Sequence, residues 1–301
     1  MQGAECRPVL SAQLIVAIET SVSAAAGPFR LERAAPAPGG CIHRCYVLEG
    51  AGQRFFAKVD DSSQSDNFTA EADGLEALAA AGARVPAPLC RGEAGTDAFL
   101  VLEYLDLRGK GNYAALGRAL AALHSIEHED YGWHRDNYIG RTPQLNPLSR
   151  SWGEFWSQAR IAPQLDLARR NGLGDDLIRK GERLAATVPR LLAGHAPAAS
   201  LLHGDLWSGN AGFLADGTPV LFDPAVYLGD READLAMTEL FGGYPQIFYS
   251  AYGEAAPLDR GYAMRKTLYN LYHVLNHANL FGGDYAPQAE RMIDQLLAES
   301  R

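Results

Sequence analysis

Cysteine is scarce in this chain, with four among 301 residues, at positions 6, 41, 45 and 90. Cys41-x-x-x-Cys45 has neither the spacing of a redox pair nor that of a zinc knuckle, and no histidine cluster accompanies it. The four therefore read as reduced thiols. Long apolar runs are also missing, since no stretch approaches the roughly 18–20 residues of a membrane span. Glu5 and Glu19 interrupt the N-terminal stretch, which lacks the basic start of a signal peptide. A cytoplasmic location is the expectation. Positive charge is outweighed, with 27 Lys and Arg against 36 Asp and Glu, a net charge of −9. That argues against a non-specific grip on nucleic acid or an anionic membrane. There is no Walker A sequence, no G-x-G-x-x-G and no internal repeat. His273 and His277 stand four apart without a third metal ligand. What remains is 47% apolar and 21% charged, an ordinary globular composition long enough for one large domain or two lobes.

The first third of the chain reads as sheet-rich. Residues 12–23 carry a helical stripe at Leu14, Ile15, Ile18 and Val22. Residues 29–34, 42–49, 54–59, 85–91 and 98–105 read as strands, the second and third as a hairpin around Gly50-Ala51-Gly52. Residues 66–81 are expected as a helix, with Asp66 as candidate N-cap and Gly82 as its stop. From Tyr113 the periodicity turns helical, over 113–126, 152–170, 175–192, 230–241, 244–252, 258–280 and 287–299. The expected fold class is α+β and bilobal: residues 1–105 form a β-rich N-lobe with one main helix, and residues 106–301 an α-rich C-lobe.

Two short segments carry the chemistry. His203-Gly204-Asp205-Leu206-Trp207-Ser208-Gly209-Asn210 is followed by Leu221-Phe222-Asp223-Pro224. Asn210 lies five residues after Asp205, and Asp223 thirteen after Asn210, just beyond a short apolar segment. This spacing suits phosphoryl transfer: Asp205 orients the attacking hydroxyl as catalytic base, while Asn210 and Asp223 hold Mg²⁺ beside the phosphates of ATP. Asp, Gly and Asn also build turns, but two such segments at this spacing, each beside an apolar run, are a more specific signal. Lys58, in the apolar strand Phe55-Phe56-Ala57-Lys58-Val59, has the setting of a lysine aimed at α- and β-phosphates, although an edge-strand lysine facing solvent has the same local sequence. Gly39 and Gly40 precede that strand, where backbone N–H groups can face phosphate oxygens. Cys41 beside them is a candidate for oxidation that blocks nucleotide binding. Trp207, between the catalytic and metal residues, offers an apolar face for a sugar ring or its aglycone, or packs on the C-lobe core. Trp133, Asp136, Asn137 and Trp152 are further acceptor-pocket candidates. His134-Arg135-Asp136 imitates a protein-kinase H-R-D, but Arg141, not Asn, stands five residues beyond Asp136.

The two segments resemble the catalytic and metal loops of protein-kinase-like phosphotransferases, with H-G-D in place of H-R-D and F-D-P in place of D-F-G. The longer string H-G-D-L-W-S-G-N narrows the resemblance. So do Tyr131-Gly132-Trp133 leading to Asp136-Asn137-Tyr138-Ile139-Gly140, and Gly229-Asp230-Arg231-Glu232-Ala233-Asp234-Leu235-Ala236-Met237. Together these look like the fructosamine kinase (ketosamine-3-kinase) family, from about Ala12 to the C-terminus. The resemblance implies that Glu71 pairs with Lys58, with Asp73 and Glu76 as alternatives. It implies that the Glu103 carbonyl and Leu105 N–H hold adenine. It makes His203 an anchor of the loop rather than an acid or base, Asp234 a brace for the loop through backbone N–H groups, and residues 131–140 a shaper of the acceptor site. The implied activity is ATP-dependent phosphorylation of a ketosamine such as fructosamine or ribulosamine at its 3-hydroxyl, in deglycation repair. Other kinases of small molecules, acting on an aminoglycoside, choline or an amino sugar, share the H-G-D form. A pseudokinase would lack one of Lys58, Asp205 and Asp223, and all three are present.

Overall fold

The computed structural model describes residues 10–37 and 42–299. Gly39, Gly40 and Cys41 lie outside the described residues. The chain forms two compact units. One runs to Glu76 and takes in Pro86–Asp106; the other is Ala77–Val85 with Leu107 onward.

The first unit holds α1 (Ala12–Ala26), β1 (Arg33–Pro36), β2 (Arg44–Gly50), β3 (Gln53–Asp61), most of α2 (Ser65–Ala80), β4 (Pro88–Ala94) and β5 (Asp97–Glu103). The strands form one antiparallel sheet in the order β1-β2-β3-β5-β4. Alternation fixes its two faces, because successive side chains of a strand point opposite ways. Tyr46, Leu48, Ala57, Val59, Phe99 and Val101 share a core with Leu14, Ile18 and Val22 of α1. Each of those three helical side chains is fully buried, worth about 1.5–3 kcal/mol apiece. Ser11 caps α1 by accepting from the Leu14 N–H at 3.2 Å. Lys58, between Ala57 and Val59, belongs to the opposite face. Residues 29–32 are not strand: β1 starts at Arg33 and pairs Arg33 with Glu49. Asp66 is not a cap but lies in the first turn of α2. The preceding residues 62–64 form a 3₁₀ turn whose cap, Asp61, accepts from the Ser63 N–H.

The second unit holds α3 (Tyr113–His124), β6 (Glu127–His128), β7 (Asn137–Ile139), β8 (Thr142–Gln144), α4 (Trp152–Phe155), α5 (Ala162–Arg170), α6 (Asp175–Leu191), β9 (Ala199–Leu202), β10 (Ala211–Phe213), β11 (Pro219–Leu221), β12 (Tyr227–Gly229), α7 (Glu232–Leu240), α8 (Gln246–Ala255), α9 (Tyr262–Phe281) and α10 (Tyr285–Glu299). The helix expected over 152–170 runs without a gap, with a π-turn at Trp156–Ile161 next to Pro163, whose missing N–H cannot continue the α ladder. Trp152 and Trp156 sit in the core of this unit with Tyr227, Tyr269 and Leu275. The indole N–H of Trp152 donates to the Tyr269 hydroxyl at 2.9 Å, so this tryptophan is a buried core residue. Three small sheets place the loops. β9 lies between β12 and β6, β10 pairs with β11, and β7 with β8. The 203–210 loop leaves β9, and the turn at Asp223 joins β11 to β12.

Candidate active site

In the first unit, Lys58 faces Cys45 on β2 and Leu100 on β5. Its Nζ donates to Glu71 Oε1 of α2 at 2.6 Å, with 5% and 7% of the two side chains exposed. Of the alternatives, Glu76 is exposed and Asp73 half-buried. A charge pair this buried survives only because each partner compensates the other. At the end of β5, Glu103 is tied to Ala87 twice: its N–H donates to the Ala87 carbonyl at 2.8 Å, and its carboxylate accepts the Ala87 N–H at 3.2 Å. Leu105 is half-buried two residues on.

In the second unit, the 203–210 loop is pinned from beneath. Asp234 of α7 accepts from the N–H groups of His203 (2.7 Å) and Gly204 (2.8 Å), and from His124 Nε2 at 3.1 Å. Burial alone would raise the Asp234 carboxyl; the His124 hydrogen bond, the neighbouring imidazoles and the Gly204 N–H outweigh it and hold it below the usual carboxylate range. His124 is held in turn by the Tyr252 hydroxyl at 2.9 Å, which also accepts from Arg231. His203 is fully buried, its Nε2 meets the Phe222 carbonyl at 3.0 Å, and its Nδ1 accepts the Asp205 N–H at 3.3 Å. A carbonyl only accepts, so Nε2 carries the proton and the ring is neutral, in line with burial pushing its pKa down. It anchors two segments and has no free nitrogen for proton transfer. Gly204 has φ +82°, and a Cβ there would lie 1.9 Å from the Ala225 carbonyl oxygen. Only glycine fits this crossing of the two loops.

Asp205 is half-buried above this base. The Asn210 Nδ2 donates to the Asp205 carbonyl (2.9 Å), to Asp205 Oδ2 (3.2 Å) and, at 3.4 Å, to the Asp223 carbonyl. With its N–H groups so used, Asn210 is left with Oδ1 as an acceptor. Burial, with the Asp223 carboxylate nearby, pushes the Asp205 pKa up to about 7. Asp223 has φ +56°, one of two non-glycine residues with positive φ among those described. That conformation costs about 1 kcal/mol or more, and persists only where the surroundings hold it. Two carboxylates and an amide oxygen make an all-oxygen donor set, and the crowding that raises Asp205 is what a divalent cation relieves. The residues therefore fit Mg²⁺.

Trp207 is half-buried and folds over Gly209, where a Cβ would meet the indole at 2.2 Å. It meets Phe241 edge-on at 6.1 Å, and its carbonyl accepts the Tyr244 hydroxyl at 3.0 Å. Trp133 is half-buried. Asp136 is exposed and accepts the Asn146 N–H at 2.7 Å. Asn137 is buried, with its amide donating to the Val226 carbonyl at 2.6 Å.

The model of the fructosamine kinase family matches residues 15–299. The chain belongs to the fructosamine kinase family. Among curated relatives of this family, a probable ketoamine kinase of Synechocystis is 46% identical over 277 residues, 90% of this chain and 92% of that one. The chloroplastic protein-ribulosamine 3-kinase of Arabidopsis thaliana is 40% identical, covering 86% and 81%. Among solved structures, a Haemophilus somnus 129PT chain named as a fructosamine-3-kinase superposes with a TM-score of 0.86 at 31% identity, covering 93% of this chain and 96% of that one. The aminoglycoside phosphotransferase APH(4)-Ia superposes at 0.62 with 16% identity, covering 93% and 98%, which shows the shared protein-kinase-like fold. No helix among the described residues is long and apolar enough to cross a membrane.

Within this family fold, several residues under the candidate site escaped the sequence reading. His124 meets Asp234, and Tyr252 meets His124, each from a distant segment, and nothing in their local sequence marks them. Gln144, Asn146 and Arg160 are likewise buried polar residues brought together only by the fold.

Proposed function

We propose that this protein transfers the γ-phosphoryl group of ATP to a sugar hydroxyl of a ketosamine, fructosamine or ribulosamine among them, at the 3-hydroxyl, as a deglycation repair enzyme. Family membership supports the substrate class. The observation that carries the chemistry is the arrangement of Asp205, Asn210 and Asp223 on two loops braced by Asp234 and His203. Asp205 accepts the proton of the attacking hydroxyl and fixes that oxygen for in-line attack. Asn210 Oδ1 and the Asp223 carboxylate hold Mg²⁺, which neutralises phosphate charge when bound. Lys58, held by Glu71, meets the α- and β-phosphates. Adenine is held by the Glu103 carbonyl and the Leu105 N–H. Trp207 gives the sugar or its aglycone an aromatic face, with Trp133 and Asp136 on the acceptor side. A cytoplasmic setting suits this reading, because the four cysteines show no pairing pattern.

ATP consumption with Mg²⁺ against fructosyl-lysine, ribulosyl-lysine, choline, a kanamycin-type aminoglycoside and no acceptor tests the proposal. Turnover on a ketosamine, abolished by Asp205→Ala, is expected. Turnover confined to choline or the aminoglycoside would overturn the substrate assignment, and none on any acceptor would overturn the kinase reading for this set.

A further inference from the structure

Pro224, Ala225 and Val226 carry the chain from Asp223 to β12, and they belong to no strand. The Ala225 and Val226 carbonyls are nonetheless claimed by side chains of the β7–β8 hairpin. Gln144 Nε2 donates to the Ala225 carbonyl at 3.1 Å and to Asn137 Oδ1 at 2.8 Å. Asn137 Nδ2 donates to the Val226 carbonyl at 2.6 Å. The Tyr272 hydroxyl, from α9, donates to Gln144 Oε1 at 2.8 Å and fixes which way that amide faces. Asn146 Nδ2 donates to Asn137 Oδ1 at 2.9 Å and orients the second amide. Arg160, in the π-turn, donates to Asn146 Oδ1 at 2.8 Å and to the Leu145 carbonyl at 2.6 Å, with its guanidinium 4.0 Å from the centre of the Tyr227 ring. Asn137, Gln144, Asn146, Arg160 and Tyr272 are all at most 4% exposed. On the other side, the Ala225 N–H donates to the His203 carbonyl at 2.8 Å.

We propose that the β7–β8 hairpin is a clamp that holds the segment after Asp223 in the single backbone path presenting Asp223 to the metal, with Gln144 and Asn137 as its positioning residues. Asp223 sits in a left-handed conformation that its own sequence does not favour. The Ala225 N–H and carbonyl, the Val226 carbonyl and the Tyr227 ring are each engaged immediately downstream. A rotation of the Asp223 or Pro224 backbone would break at least one of these bonds and strand buried amides, each costly to leave unpaired. The hairpin therefore opposes a swing of the metal-binding aspartate away from the Asp205 loop. It gives Asn137 a role that touches neither acceptor nor nucleotide. The inference rests on the reading of Asp223 as a metal ligand.

Hydrogen–deuterium exchange of the ligand-free protein tests the clamp without metal. Amides of residues 225–227 should exchange about tenfold faster in Gln144→Met and in Asn137→Ala, the change expected for one lost buried hydrogen bond. Calorimetric titration of ADP with Mg²⁺ should show affinity reduced about tenfold in Gln144→Met, while KM for the acceptor stays at the wild-type value. Tyr272→Phe, which keeps the ring and loses only the orienting hydroxyl, should move both readouts the same way by less. It gives the answer if Gln144→Met does not fold. Ser157→Ala, which breaks a buried 2.7 Å bond to the Ala185 carbonyl away from this segment, is the control for general destabilisation. Exchange at wild-type rates in the hairpin variants overturns the clamp. So does fast exchange with unchanged Mg²⁺-dependent affinity, or an equal affinity loss in Ser157→Ala. If Asp223→Ala keeps wild-type Mg²⁺-dependent ADP affinity, the metal reading falls, while the exchange result still decides the clamp.

Discussion

In the proposed reaction, Asp205 is asked for little covalent chemistry and much placement. Its carboxylate shares Asn210 with Asp223, and its backbone rests on His203. Asp205→Ala should therefore lower kcat by about 10²–10⁴-fold with ATP affinity nearly unchanged, measured by initial rates and by nucleotide titration. An equal loss of ATP affinity would assign Asp205 to nucleotide binding instead. Glu71→Ala leaves the Lys58 ammonium buried without its carboxylate and should cost about 3–5 kcal/mol in urea unfolding, with Glu71→Gln costing less. Asp205, Asn210 and Asp223, on which the proposed reading rests, were legible in the sequence as candidates, because their spacing alone marks them. Gln144 and Arg160 were not. A buried glutamine or arginine is defined by partners 81 residues (Gln144 to Ala225) or 14 residues (Arg160 to Asn146) away, and by no local pattern.

Among the elements, long helices and the hairpin of β2 and β3 were readable from periodicity, since each buries one clear face. The three-residue strands β7, β8, β10, β11 and β12 were not, because a period of two cannot be recognised over three residues. They are nevertheless the elements that position both loops. The π-turn was also invisible. Arg160 in it is buried, with its terminal nitrogens donating to the Leu145 carbonyl and Asn146 Oδ1 and its guanidinium over ring faces. Helix α9 makes a prediction about acid. Burial, with His277 beside it, pushes the His273 pKa down from 6.5 to about 3. The unfolded chain then takes up a proton that the folded chain refuses. Its contribution is fully present above about pH 6.5 and is lost as pH falls towards 3. Urea unfolding across that range should show a steeper acid loss in wild type than in His273→Gln; parallel curves would remove His273 as the cause.

For the whole molecule, two compact units and a net charge of −9 describe a chain whose ligand affinity must come from local sites rather than from its overall field. ATP with Mg²⁺ at about 100 times its dissociation constant should stabilise the fold by about 2.7 kcal/mol. That appears as a Tm rise of several degrees, which Asp223→Ala should abolish; an equal rise with ATP and a chelator would argue against the metal site. The central claim is tested most directly by the product. Incubation with Mg²⁺, ATP and fructosyl-lysine, followed by phosphorus NMR with proton correlation, should show one new phosphate ester on the 3-hydroxyl of the sugar, absent with Asp205→Ala. An ester at another position, or the same product from Asp205→Ala at the wild-type rate, would contradict the account.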